Sequence, residues 1–191
     1  PRELHRFPSF AVEPIASKHS WPWPRGRDAK VSLALSTCFL ATFGVFYGGA
    51  SMASKYLPWQ FDIALAFERT IPFVPAWSLV YLSVIPMLLL LPLVLPTWRG
   101  LFPVFVALTA QVLTATVFFL AFPIHIEFAP REVAEPWAPF FNLADTLNLE
   151  RNLFPSLHVS FAVTAALAMV TRLSPWKSSV IFVWAAAIAV S

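Results

Sequence analysis

The chain has 191 residues, 58% of them hydrophobic and only 12% charged, with a formal net charge of +3. This excludes an ordinary water-soluble domain, where about a quarter of residues are charged. With no basic cluster and interleaved aromatics beyond the N-terminal arm, it also argues against a nucleic-acid partner.

Residues 1–30 hold five prolines, the stretch "WPWPRGR", and six basic against three acidic residues, which predicts an irregular arm along headgroups on the cytoplasmic side. A cleaved signal peptide does not fit, because the apolar run starts only at Val31 and exceeds the usual h-region. Residues 31–191 form the second unit, a membrane domain. Uncharged runs over 31–54, 70–98, 100–126 and 152–171 each approach or exceed the roughly 20 residues that a helix needs to cross a bilayer. A fifth run, 178–191, is shorter, so the sequence reads as a piece of a longer chain. The expected fold is therefore all-α, a polytopic membrane helix bundle with five spans, the fifth incomplete. Cys38 lies within the first run and is expected to pack as a small hydrophobe.

Between the first two runs, "YLPWQFDIALAFER" is interrupted by Asp62 and Glu68 and predicts an interfacial helix rather than a span. Prolines 72, 75, 86, 92 and 96 make the second span the one expected to bend. Loop charges alternate: the arm, Arg99, and Arg172 with Lys177 are basic, whereas 127–151 carries five acids against two arginines. The positive-inside rule then places the basic loops in the cytoplasm and the acidic loop outside.

The fourth run opens with "ERNLFPSLHVSF", residues 150–161. Pro155 belongs before a helix, Ser156 is a preferred N-cap, and His158 follows in the first turn. An ionisable group at a membrane helix is by default a functional candidate, and the unpaired amides of a helix start suit an anion such as phosphate. The blander alternatives are an interfacial histidine reaching headgroup water and a plain cap at Ser156, which lacks a capping box because Val159 stands three positions on. Arg131 and Arg151 could supply the fixed positive charge. Alternatively, Arg131 pairs with Glu127, Glu132 or Glu135, and Arg151 pairs with Glu150 or anchors the chain at the interface. His125 in "FPIHIEF" is read as an interfacial side chain, and Asp145 as part of a solvated loop or short surface helix. The sequence holds no Cys and His cluster at zinc-ligand spacing and no Gly-rich phosphate loop, so no metal and no cofactor are expected.

"NLFPSLHVSFA" resembles the second signature of the type 2 phosphatidic acid phosphatase (PAP2) superfamily, with Leu157 in the place of the usual glycine. "FERTIPFVPAWSLVYLS", residues 67–83, is similar to the segment leading into the second helix of such proteins, and "FPIHIEFAPR", 122–131, sits where their first signature ends in arginine. The resemblance covers roughly residues 31–191. It implies six spans, and a lipid-phosphate phosphatase or phosphotransferase acting through a phosphohistidine at the outer face of a bacterial inner membrane. His158 would be the general acid, and Ser156 and Arg131, with Arg151 beside them, would hold the phosphate. Ile124 stands where the first signature has lysine and Glu132 where it has proline. The third signature, with the nucleophilic histidine and its aspartate, is expected past Ser191. Membrane lipids and a lipid phosphate are the expected partners, with other membrane subunits possible. The competing expectation is a non-catalytic PAP2-like subunit that packs as a scaffold in a larger membrane complex, for which eight tryptophans and nineteen phenylalanines offer contact surface.

Overall fold

The computed structural model describes residues 23–59, 61, 72–124, 133–147 and 154–191. It is all-helical. Helix α1 (Gly26–Phe43) continues through a π-helical stretch, Gly44–Gly48, into α2 (Gly49–Ser54). Then come α3 (Trp77–Leu82), α4 (Val84–Val94), α5 (Trp98–Ala121), α6 (Ala138–Leu147), α7 (Leu157–Val170) and α8 (Pro175–Val190). Among the described residues the one extended pairing is an isolated bridge between Phe61 and Ile124.

Three segments are long and apolar enough to cross a bilayer: Gly26–Ser54, Trp77–Val94 and Trp98–Ala121, of 29, 18 and 24 residues. Of the five expected spans, three are thus helices long enough to cross, while the other two correspond to shorter apolar helices. At 14 and 16 residues, α7 and α8 extend only about 21 and 24 Å at 1.5 Å per residue. Local chemistry limits both. Pro155 and the Ser156 cap fix the start of α7, and Ser174 followed by Pro175 starts α8. The first helix begins at Gly26, four residues inside the stretch read as an irregular arm, with Asp28 in its positive first turn.

The second span is interrupted at one residue, close to one of its prolines. Pro86 cannot donate to the carbonyl four residues back and its ring crowds that turn, and the helix breaks at Ser83, between α3 and α4. The break is stapled by side chains. Ser83 Oγ donates to the Val80 carbonyl and accepts from Trp184 Nε1 at 2.7 Å, so α8 holds the junction from outside.

The core is one apolar cluster organised around α5 and α7. On α5 the buried positions Leu101, Val104, Leu108, Val112, Ala115 and Phe119 recur at three and four residues, a single helical stripe. On α7, Leu157, Phe161, Ala162, Ala165, Ala166 and Met169 are buried on more than one face, because that helix packs against α4, α5 and α8 together. Its alanines let the neighbouring backbones come close, which is how helices associate where lipid removes the hydrophobic drive. An aromatic chain runs alongside: Phe39 and Phe43 of α1 meet Phe161, and Tyr47 of the π segment stacks on Phe43 at 4.8 Å and meets Phe119 edge-on. A polar contact joins α5 to α7 within this interior, from Gln111 Nε2 to Thr164 Oγ1 at 2.6 Å.

The long helices alternate in direction, and among the described residues the charged side chains gather mostly at one end. At one end the Trp98 amide donates to Asp28 Oδ1 at 3.0 Å, tying the start of α5 to the start of α1. That end gathers Arg25, Arg27, Lys30, Arg99, Arg172 and Lys177 against Asp28. Lys55, Glu135 and Asp145 are the charged residues described at the other end. There α6 lies over α3, with Phe73 and Phe141 edge to face at 5.3 Å.

Candidate functional site

The start of α7 is built as its sequence predicts. Ser156 is extended (φ −70°, ψ 112°) and its side-chain oxygen accepts from the Val159 amide at 3.4 Å, while its carbonyl accepts from the Ser160 amide at 3.2 Å. The cap therefore satisfies the third amide of the helix and the turn satisfies the fourth. The amides of Leu157 and His158 make no hydrogen bond to a described residue. Among the described residues these two donors at the positive end of the helix have no acceptor, and they can donate to an anion.

His158 is half-buried and held by a residue 77 positions away. Its ring stacks on Tyr81 of α3, with centroids 3.9 Å apart and planes at 29°, and the Tyr81 hydroxyl lies 3.0 Å from Nδ1. Tyr81 sits two residues before the Ser83 break that Trp184 fastens, so α3, α7 and α8 together fix the imidazole. Nε2 makes no hydrogen bond to a described residue and is the nitrogen available for chemistry. When the hydroxyl donates to Nδ1, the neutral ring carries its proton on Nε2.

His158 also lines a cavity of about 340 Å³ between α1, α4, α5 and α7. Of the residues lining it, none is charged and only Ser36 and His158 carry polar side chains. Leu147, the last residue of α6, closes it near His158.

Of the residues singled out from sequence, the structure thus brings Ser156 and His158 together at one helix start. Arg131, Arg151 and His125 lie outside the described residues, as does most of the expected interfacial helix. Ile124, where the resemblance expects lysine, is 3% exposed and pairs with Phe61, whose amide donates to the Pro123 carbonyl at 3.0 Å. That position therefore supplies packing and no charge. Asp145 is exposed on α6, matching the short-surface-helix reading. Tyr81 was missed: it lies within the 67–83 segment that carries part of the resemblance, but nothing in its spacing announces a contact with His158. Searches against family models, curated proteins and solved structures gave no match.

Proposed function

We propose that this chain is the membrane-embedded catalytic domain of a lipid-phosphate phosphatase or phosphotransferase of the PAP2 kind, with the basic end of the bundle cytoplasmic and His158 at the outer face of a bacterial inner membrane. The observation that carries this reading is the imidazole at the start of α7, held through Nδ1 by Tyr81 beside two unpaired helix-start amides.

In this reading the phosphate of a lipid headgroup sits on the Leu157 and His158 amides, and Arg131, with Arg151, neutralises its charge through a planar, permanently charged guanidinium. Ser156 fixes the turn, and its oxygen is already committed to the Val159 amide. A histidine of the third signature attacks phosphorus, the bond from phosphorus to the lipid oxygen breaks, and His158 as the imidazolium gives its Nε2 proton to the departing oxygen, which leaves a neutral ring protonated on Nδ1. Water or an acceptor alcohol then takes the phosphoryl group from the phosphohistidine. Tyr81, whose hydroxyl can donate to Nδ1 of the neutral ring or accept from Nδ1–H of the imidazolium, keeps Nε2 turned toward the phosphate. A positioned proton donor contributes roughly 10² to 10⁴ in rate, and the fixed amides supply electrostatic stabilisation of the transferring group.

The test is phosphate release from phosphatidic acid by the full-length protein in detergent. His158→Ala should lower kcat by at least two orders of magnitude while the protein stays monodisperse. Undiminished turnover removes His158 from the reaction. No turnover by the folded wild-type protein on any lipid phosphate favours the scaffold reading instead.

A further inference from the structure

We propose that the basic end of the bundle is a binding surface for the phosphodiester headgroups of anionic lipids, formed by the starts of α1, α5 and α8 and the turn from α7 to α8. The inference is independent of the chemistry assigned to His158. Six exposed cations meet there: Arg25, Arg27 and Lys30 at the start of α1, Arg99 in the first turn of α5, Arg172 just past α7 and Lys177 in the first turn of α8. Asp28 is the one carboxylate described at that end, and its Oδ1 already accepts from the Trp98 amide. Among the described residues none of the six cations pairs with a carboxylate. The backbone adds to the charge instead of offsetting it. Arg27, Arg99 and Lys177 stand in first turns, where a helix presents its positive end and an acid is the stabilising choice, yet α5 and α8 have no acid there. Cations gathered in this way repel one another, so the opposite charge has to come from a partner.

Two features make that partner a lipid. Tryptophans fix the depth of the charge. Arg99 Cζ lies 5.7 Å from the centroid of the Trp98 ring and Lys177 Nζ 5.6 Å from that of Trp176, while Trp23 precedes Arg25 by two residues and is 63% exposed. Tryptophan settles at the membrane–water interface with its ring at headgroup level, so all three helix starts hold their cations at the depth of lipid phosphates. The second feature lies one helical turn deeper. Lys30, Arg99 and Lys177 are each followed three positions on by an exposed apolar residue: Leu33 at 69%, Phe102 at 46% and Val180 at 55%. Residues at that spacing are neighbours on a helix surface, so each cation stands above a hydrocarbon patch. A phosphate with an acyl chain below it matches both levels, whereas a soluble anion meets only the upper one. The surface is also continuous. The Asp28 to Trp98 bond brings Arg27 and Arg99, each next to a bonded residue, to one spot, and α7 packs on both α5 and α8, which carries the charge round to Arg172 and Lys177.

The test places the full-length protein in vesicles of equal phosphatidylglycerol and phosphatidylcholine, with one lipid or the other dibrominated on its acyl chains. A bimane fluorophore is attached in a Cys38→Ser background at Val180→Cys, near the basic end, or at Val117→Cys, one turn before α5 ends at Ala121. The ratio of quenching by the two brominated lipids gives their relative association at each end. A single cation at an anionic surface is worth about fivefold, so phosphatidylglycerol should be preferred at least about fivefold at Val180 and less than about twofold at Val117. Combining Arg99→Gln, Arg172→Gln and Lys177→Gln should bring the Val180 ratio below about twofold. Arg99→Lys with Arg172→Lys should keep it. Tm records that the variants fold, and Lys177→Gln alone, at an exposed position, should already lower the ratio. Millimolar glycerol phosphate should leave the ratio unchanged; suppression would assign the surface to soluble anions and overturn the lipid assignment. Equal ratios at the two ends, or a preference that survives the loss of the three cations, overturns the proposal.

Discussion

Tyr81→Phe removes a single oxygen and leaves the ring that stacks on His158 at 3.9 Å. It therefore separates what the hydroxyl contributes, its 3.0 Å contact with Nδ1 included, from the ring packing around it. A hydrogen bond of this kind contributes about 1 kcal/mol net, which is roughly fivefold in an equilibrium. The equilibrium at issue is between the two neutral tautomers of His158, because a hydroxyl donor at Nδ1 favours the proton on Nε2. At about pH 8.5, well above the ordinary histidine range, ¹⁵N chemical shifts of labelled imidazole report the two nitrogens separately. The chain has only four histidines, and His158→Ala identifies the resonance. The wild-type ring should be predominantly Nε2–H, and Tyr81→Phe should move the ratio about fivefold toward Nδ1–H. The acid step starts from the imidazolium, protonated on both nitrogens, so the tautomer ratio is read from the spectrum and not from kcat. An unchanged tautomer ratio would refute the assignment of Tyr81 as the positioning residue, whatever happens to turnover.

Three other outcomes test the fold. Ala165→Leu puts three extra carbons where the side chain is 0% exposed between helices, and should cost about 1–3 kcal/mol, read as a lower midpoint of unfolding in detergent. Leu167→Ala, on the outward side, should shift it little, and equal effects would contradict the central place of α7. A double-mutant cycle of Gln111→Leu and Thr164→Val should give a coupling of about 0.6 kcal/mol, the average for such bonds between membrane helices. A coupling of zero means that the bond contributes nothing. In a Cys38→Ser background, Lys177→Cys should react with an impermeant thiol reagent only from the cytoplasmic side and Asp145→Cys only from outside; the opposite pattern inverts the proposed orientation.

The helical architecture was legible because uncharged runs and proline positions act locally. The Ser83 break follows from Pro86 in its own turn, and the α7 start follows from Pro155 and Ser156. Span lengths were less legible, since an uncharged run bounds a helix without saying where its caps fall; Pro72 to Ala76 precede α3 although they carry no charge. At the site, the cap and the histidine could be read from four consecutive residues. Tyr81 could not, because its partner is 77 positions distant and one tyrosine in an apolar span has no periodic signature. The cavity was illegible for a similar reason. It arises where α1 and α4 fail to meet, a property of how four helices are spaced rather than of any one of them.

The bond from the Trp98 amide to Asp28 joins residues 70 positions apart and has a consequence for biogenesis. During synthesis the first helix reaches the translocon with its carboxylate lacking this mate, which emerges only after one further membrane passage, Trp77–Val94, has been translated. The leading segment can therefore settle into its final depth and tilt only late, when the third long helix arrives to clasp it. A mutation at Asp28 should accordingly show first as slow or mis-inserted assembly, before any loss of function in molecules that complete it.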